Sequence, residues 1–197
     1  MPRHRDVDAQ RRRLSAAVWA VLARDGLPGL TLRAVADEAG CTTGLVLHTF
    51  DGKGALLRHA RDLLHERTGL RADAATGAAT GPAAALREVL LHALSLTDEK
   101  REEARVWVGF LAAALPDDDL RTVHVRHNRA FLTRVAGLVG DCRPDLAPAA
   151  RQHAAVALVA QVEGLNALAA ADPETYTPHR QRTALERVLS TVLEPAD

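Results

Sequence analysis

Apolar residues recur along most of this chain at steps of three and four positions, the spacing that places them on one face of an α-helix. Between residues 31 and 50 this pattern predicts two short helices around a tight turn. Thr31 and Thr42 can each cap the start of a helix, and Gly40 can adopt the left-handed conformation that ends one. The apolar positions are Leu32, Val35, Ala36 and Ala39 in the first helix, and Leu45, Val46 and Phe50 in the second. The stretch therefore predicts a helix-turn-helix, a motif whose second helix enters the major groove of DNA.

The same spacing continues through the rest of the chain, so the expected fold class is all-α with about nine helices. The other helices are expected at about 8–24, 53–70, 83–96, 98–115, 117–140, 147–172 and 179–193, after an arm at 1–7. Residues 71–82 hold two glycines, a proline and no large apolar side chain, which predicts a linker. The expected domains are a DNA-binding domain with a three-helix core at 8–70 and a helical domain at 83–197.

The distribution of charge agrees with this division. The 197-residue chain has no net charge, but residues 1–70 carry 11 basic and 8 acidic side chains, and the remainder carries 14 and 17. Only 3% of the residues are aromatic, and the alanine- and leucine-rich composition favours helix over sheet. A slightly basic N-terminal part and an acidic remainder suit a DNA-binding head on a body that does not touch DNA.

The location of the protein is inferred from what its sequence contains. The two cysteines, Cys41 and Cys142, lie far apart in the sequence, and the polar N-terminus does not resemble a signal peptide. No run of eighteen apolar residues is present. We therefore expect a soluble cytoplasmic protein without a disulfide or a membrane-spanning segment.

Two long segments resemble a known family. The segment from about residue 11 to 64, with AAVWAVLARDGLPGLTLRAVADEAGCTTGLVLHTFDGKGALL, resembles the DNA-binding domain of TetR-family transcriptional regulators. Its matching features include Gly26 after the first helix, Gly44 within the third, Phe50 at its end and Lys53 at the start of the fourth. The segments LTDEKREEARVWVGFLAAALPDDDLRTVHVRHNRAFLTRVAGLV, RPDLAP and LNALAAADPETYTP resemble the C-terminal domain of the BetI-type branch of that family.

The resemblance implies how the head would bind DNA. Thr31, Arg33 and Lys53 would hold the DNA backbone. The third helix would present Thr42, Thr43, Gly44, Leu47 and His48 to the duplex. Further phosphate contacts are expected from Arg3, Arg5, Arg11, Arg12 and Arg13. The chain departs from the family at Thr43, usually a lysine, at Leu47, usually a tyrosine, and at Thr49, often tyrosine or histidine. An apolar contact with a thymine methyl group is the alternative that Leu47 offers.

The resemblance also implies a function for the C-terminal domain. In this family the last two long helices, here 147–172 and 179–193, pack with those of a second subunit into a four-helix bundle. A small molecule binds among the central helices and changes the separation of the two heads. The candidate ligand contacts are Trp107, Phe110, Asn128, Phe131, Gln161, Glu163 and Asn166. Trp107 with Glu163 could bind a quaternary ammonium compound, as in some family members.

Simpler interpretations remain open for several of these residues. Trp107, Phe110 and Phe131 could be ordinary core residues. His124 and His127 have a spacing that could share a metal ion, but no third ligand is evident, so no metal site and no cofactor are expected.

The sequence thus predicts a repressor that binds a palindromic operator as a homodimer and responds to a small molecule. It has no set of catalytic residues that supports an enzyme. The alternative, motivated by Leu47 and Thr49, is a helical dimer that acts through protein partners and has weakened or lost DNA binding.

Overall fold

The computed structural model describes the backbone of residues 2–194 and the side chains of residues 9–194. Within this range the chain forms nine α-helices and no strand, which confirms the predicted all-α fold. The helices are α1 Pro2–Gly29, α2 Leu32–Ala39, α3 Thr43–Phe50, α4 Lys53–Ala78, α5 Pro82–Ala93, α6 Asp98–Ala114, α7 Asp118–Cys142, α8 Pro148–Ala171 and α9 Pro178–Leu193.

The caps of the helix-turn-helix are those that the sequence predicts. The Thr31 hydroxyl accepts a hydrogen bond from the backbone N–H of Ala34 at 3.1 Å, and this bond starts α2. Gly40 ends α2 in the left-handed conformation, with φ 59° and ψ 46°. The Thr42 hydroxyl then accepts from the N–H of Leu45 at 3.3 Å and starts α3. Hydrogen bonds and backbone conformations of nearby residues therefore determine where the turn begins and ends.

The first helix is longer than predicted. Helix α1 begins at Pro2 rather than near Asp8, and it contains a break at Gly26, where φ is 67°. This break lies where the sequence places the end of the helix, because glycine tolerates positive φ. The predicted phosphate contacts of Arg3 and Arg5 lie outside the described side chains.

The predicted linker is largely helical. Helix α4 was expected to end near Leu70, but it continues to Ala78, so most of the segment 71–82 belongs to it. Ala72 and Ala75 are buried in a hydrophobic cluster, and the Thr76 hydroxyl donates to the carbonyl of Ala72 at 2.9 Å. The helix propensity and burial of the alanines outweigh the glycines and the lack of large apolar side chains in this segment.

Packing divides the chain into two compact units. Unit 1 comprises residues 1–66 and 106–125, and unit 2 comprises residues 67–105 and 126–197. The core of unit 1 joins the helix-turn-helix to Val106, Phe110, Ala114 and Leu120 from α6 and α7. Packing thus places residues 106–125 with the head, whereas the sequence assigned them to the C-terminal domain. The functional boundary at 71–82 stays a prediction.

The core of unit 2 is built mainly from α5, α7, α8 and α9. Its polar centre is Asn166, which accepts a hydrogen bond from the N–H of Ser95 at 2.9 Å and donates to the carbonyl of Ala93 at 2.8 Å. Gln181 accepts from the Ser95 hydroxyl at 3.0 Å and donates to the carbonyl of Tyr176 at 2.8 Å. Asn166 thus satisfies backbone groups at the end of α5, and Gln181 connects Ser95 to the residues before α9.

Helix α8 has two apolar sides. One side is buried in unit 2 through Ala155, Leu158, Val159, Val162, Leu165 and Ala169. The opposite side is largely exposed although it is apolar too, with Val156, Ala157, Ala160, Leu168 and Ala171. Among the described residues, α8 is the one helix long and apolar enough to cross a membrane by length and composition alone. Burial of one side in unit 2 is typical of a core helix, and the exposed side calls for another partner.

We expect the substitution Phe110→Ala to lower the free energy of unfolding by about 3–5 kcal/mol, because it removes a fully buried ring from the core of unit 1. The matched control is Leu115→Ala, since Leu115 is 70% exposed one turn further on, and its effect should stay within about 0.5 kcal/mol. Denaturant unfolding followed by circular dichroism measures both. An equally mild effect of the two substitutions would contradict the assignment of Phe110 to the core.

Candidate DNA-recognition surface

The residues predicted to touch DNA lie on the surface of unit 1. All eight are exposed: Thr31, Arg33, Thr42, Thr43, Gly44, Leu47, His48 and Lys53. In α3 the reason is geometric, because Val46 and Phe50 are buried in the core. Gly44 and His48 consequently lie on the opposite side of the helix, and the exposed Thr43 and Leu47 lie between the two sides. We call the exposed surface formed by these four residues the outer face of α3.

The outer face combines one large apolar side chain with small and polar ones. Leu47 is 49% exposed. Its neighbour Thr49 is half-buried and donates its hydroxyl to the carbonyl of Leu45 at 2.9 Å. That hydroxyl is therefore used within the helix. Of the two positions that depart from the family pattern, Leu47 thus faces solvent, whereas Thr49 turns inward.

Positive charge flanks the outer face. The side chain of Arg33 is 87% exposed, and its Nε lies 4.0 Å from a carboxylate oxygen of Asp37. Because an exposed ion pair at this distance is weak, the guanidinium stays accessible to a phosphate. Lys53 is exposed in the first turn of α4. Helix N-termini bind anions through their backbone N–H groups, so Lys53 stands where a phosphate is favoured.

Two arginines of α1 hold the head together. Arg13 donates to the carbonyl of Ala39 and, at 2.9 Å, to that of Gly40, so it satisfies acceptors at the end of α2. Arg24 pairs with Glu38 of α2 at 2.8 Å and with Asp25. The sequence predicts instead that Arg13 contacts DNA phosphates. Its position on α1 gave no sign of the contact with Ala39 and Gly40, which depends on how α1 packs against α2.

A cleft of about 250 Å³ adjoins the end of α3, lined by Arg11, Ser15, Thr49, Phe50 and His59. The Ser15 hydroxyl and the His59 Nε2 lie 2.9 Å apart, and the rings of Phe50 and His59 have centroids 4.9 Å apart. Burial lowers the pKa of His59 below its usual value, although the negative charges of Asp62 and Glu66 act to raise it. The sequence alone does not reveal the role of His59, because a single histidine on a long helix carries no signal of its neighbours.

The junction of α6 and α7 packs within the same unit. Gly109 lies against Leu27, since a Cβ added there would stand 3.3 Å from the Leu27 Cβ. Arg58 of α4 pairs with Asp119 at 3.3 Å. Residues 106–125, which we call the hairpin tip, therefore contact the α1 and α4 parts of the head.

The hairpin tip also makes a buried polar contact. Arg61 and His124 are both buried, and the Arg61 Nε–H donates to the His124 Nδ1 at 3.4 Å. The ring of His124 also lies 6.0 Å from that of Trp107. In the part of the chain that the structure describes, no group of three or more His, Cys, Asp or Glu side chains could hold a metal ion.

The candidate ligand contacts fall into both units. Phe110 is fully buried in the core of unit 1, as the simpler interpretation predicts, and Trp107 packs against the same cluster. In unit 2, Asn128 and Phe131 of α7 and Glu163 of α8 are half-buried. Gln161 is half-buried as well, whereas the amide of Asn166 bonds to the backbone of Ala93 and Ser95 at the end of α5.

Comparison with known families accounts for most of the chain. Residues 14–60 match the family model described as bacterial regulatory proteins of the tetR family. Residues 82–194 match the model described as BetI-type transcriptional repressor, C-terminal. These matches cover the second half of α1, the helix-turn-helix and the start of α4, and all helices from α5 onward.

Individual relatives agree with the family models. The chain is 30% identical over 170 residues to the transcriptional regulator BetI of Paraburkholderia xenovorans, covering 84% of each protein. It is 28% identical over 120 residues to the transcriptional regulator PksA of Bacillus subtilis, but these span only 58% of PksA.

Solved structures of regulators share the fold. A transcriptional regulator from Rhodococcus is 26% identical, with a TM-score of 0.80 over 92% of this chain and 95% of that one. A regulator from Saccharomonospora viridis, solved in complex with choline, has a TM-score of 0.82 over 93% of this chain and 96% of that one. Its sequence identity is 16%, so this likeness concerns the fold alone.

Proposed function

This chain belongs to the TetR family of DNA-binding transcriptional regulators, and we propose that it is a repressor that binds a palindromic operator as a homodimer and responds to a small molecule. The observation that carries the proposal is the exposed outer face of α3 within a capped helix-turn-helix. Within a bacterial cell such a regulator works in the cytoplasm, where its operator lies. We assign it no catalytic activity, since its relatives are regulators.

Each head would place α3 in a major groove. Thr43, Leu47 and His48 then face base edges, while Arg33 and Lys53 contact phosphates on either side. Phosphate neutralisation supplies most of the affinity, and the groove contacts supply the sequence preference. Thr31 and Thr42 already accept backbone hydrogen bonds as caps, but each hydroxyl keeps a proton that it can donate to a phosphate.

The exposed side of α8 supports a second copy of the chain as partner. Ala157, Ala160, Leu168 and Ala171 form an apolar surface with little side-chain bulk, so two such helices could approach closely. A palindromic site needs two heads whose recognition helices lie about 34–36 Å apart or a multiple of that distance. A homodimer through α8 and α9 would supply the second head.

The effector would bind to unit 2 among side chains of α7 and α8. We keep Asn128, Phe131 and Glu163 as candidate contacts, because they bring an amide, an aromatic ring and a carboxylate into one unit. Of the other candidates, Phe110 and Asn166 already serve the two cores. Ring and carboxylate together suit a small organic cation. The choline in the solved regulator from Saccharomonospora viridis makes choline the first compound to test.

Coupling of effector and DNA would run through the hairpin tip. Helices α6 and α7 each contribute residues to both units, and Phe110 and Leu120 of the hairpin tip are part of the head's core. A ligand that shifts either helix would thereby disturb the packing behind α3. To release the operator, the ligand must bind the DNA-incompetent form more tightly than the competent one.

For DNA binding, we expect the purified protein to bind a duplex containing the DNA flanking its own gene, with an affinity that falls steeply as salt rises. Lys53→Ala should reduce the slope of log K against log salt by about one, because it removes one phosphate contact. The matched control Arg105→Ala removes an exposed charge from α6 and should leave the slope unchanged. Fluorescence anisotropy measures both.

Failure of the protein to bind any duplex, including sequences selected from a random pool, would contradict the proposed function. It would favour the alternative, a helical dimer that acts through protein partners.

For dimerisation, we expect Ala160→Glu to convert the dimer to a monomer, because it places a charge in the middle of the exposed apolar side of α8. Analytical ultracentrifugation measures the mass, and circular dichroism checks that the helices persist. Ala83→Glu is the matched control, since Ala83 is exposed in the first turn of α5, where a negative charge is tolerated. A dimer that survives Ala160→Glu would place the interface elsewhere.

For the effector, we expect choline to raise the melting temperature of the protein and to weaken its DNA binding. Glu163→Gln should reduce the affinity for choline by about tenfold or more, since it removes the negative charge that attracts the ammonium group and keeps the shape of the side chain. Glu102→Gln, at an exposed position of α6, should not. Isothermal titration calorimetry measures the affinities. An unchanged melting temperature with choline would exclude this compound and leave the DNA-binding role intact.

A further inference from the structure

The outer face of α3 lacks the side chains that most often read bases. Helix α3 has the sequence TGLVLHTF, without arginine, lysine, asparagine or glutamine. Those four residue types form the paired hydrogen bonds that recognise guanine and adenine in the major groove. The base contacts of α3 must therefore depend on a hydroxyl, an imidazole and apolar surface.

Leu47 provides that apolar surface. It lies at the middle of the outer face and is 49% exposed, although leucine is among the residues most often buried. Thr43 precedes it by one helical turn, so the side chains of Thr43 and Leu47 are neighbours on the helix surface. The result is a short apolar strip on the exposed surface of α3.

Gly44 leaves the space beside this strip open. A Cβ added at Gly44 would have no heavy atom closer than the Thr42 Oγ1 at 3.9 Å, so packing within the protein does not require glycine here. Its backbone does not have the positive φ that favours glycine. A glycine inside a helix destabilises it by roughly 1 kcal/mol relative to alanine. The open space is therefore explained best by a ligand that must approach the backbone of α3 closely.

The major groove has one apolar feature that matches this strip, the C5-methyl group of thymine. We propose that Leu47 is a specificity-determining residue that reads a thymine methyl group in each half of the operator. The inference rests on the proposed function, because it assumes that α3 enters the groove. It assigns a role to the position at which the chain departs from the family's usual tyrosine.

The test replaces thymine by deoxyuridine, which removes the methyl group and keeps base pairing. A duplex is first selected from a random pool with the wild-type protein, and each thymine is then replaced singly. At one thymine in each half-site, we expect the replacement to weaken wild-type binding about fourfold, the value of one buried methyl group. Fluorescence anisotropy at a fixed salt concentration measures the affinities.

Two variants show whether Leu47 is responsible. Leu47→Ala should bind the thymine and deoxyuridine duplexes equally well, because the apolar contact is absent from both. The variant should fold, since Leu47 is exposed. The matched control is Leu115→Ala, which truncates an exposed leucine of the same unit and should retain the fourfold preference.

The outcomes separate this inference from the proposed function. If no duplex is selected or bound, the proposed function itself fails. If the protein binds a selected duplex but tolerates deoxyuridine at every position within twofold, the methyl readout is wrong and the regulator stands. If the thymine preference persists in Leu47→Ala, another residue reads the methyl group and the role of Leu47 is refuted.

Discussion

The burial of Val46 and Phe50 is the interaction on which the function of the head depends. Both side chains lie in the core of unit 1, and they fix the rotation of α3 about its own axis. A rotation by one residue would bury the larger Leu47 where Val46 packs, and such overpacking costs about 1–3 kcal/mol. The buried residues of α3 therefore determine which of its side chains can contact DNA.

The position of α3 along the chain is fixed by a second set of contacts. Thr31, Gly40 and Thr42 determine where α2 stops and α3 starts. Arg13 then attaches the end of α2 to α1 through two carbonyl groups. Caps contribute roughly 1 kcal/mol each, so they specify the geometry of the turn more than they stabilise the protein. Core packing and caps together hold the recognition residues in one arrangement before any DNA arrives.

Features set by neighbouring residues were predicted from the sequence, and features set by distant ones were not. The caps at Thr31 and Thr42 and the exposure of Leu47 follow from residues within one helical turn. The end of α4 was placed too early, because the burial of Ala72 and Ala75 depends on helices far along the chain. Arg13 was assigned to another role and His59 was missed for the same reason: each takes its partner from 27 or 44 residues away. The exposure of the candidate DNA contacts can be predicted from helical periodicity. The surroundings of the candidate ligand contacts cannot, because they depend on how distant helices pack.

The membership of residues 106–125 in the core of the head bears on how regulators of this kind can be recombined. A fragment ending near residue 70 would lack Phe110 and Leu120 and would leave the surfaces that they cover in contact with water. A chimera that joins this head to the trunk of another regulator must therefore carry over the hairpin tip as well, or find a substitute that fits Leu27 and Arg58. Exchange of DNA specificity between relatives is thus constrained by two separate stretches of sequence that have to be inherited together.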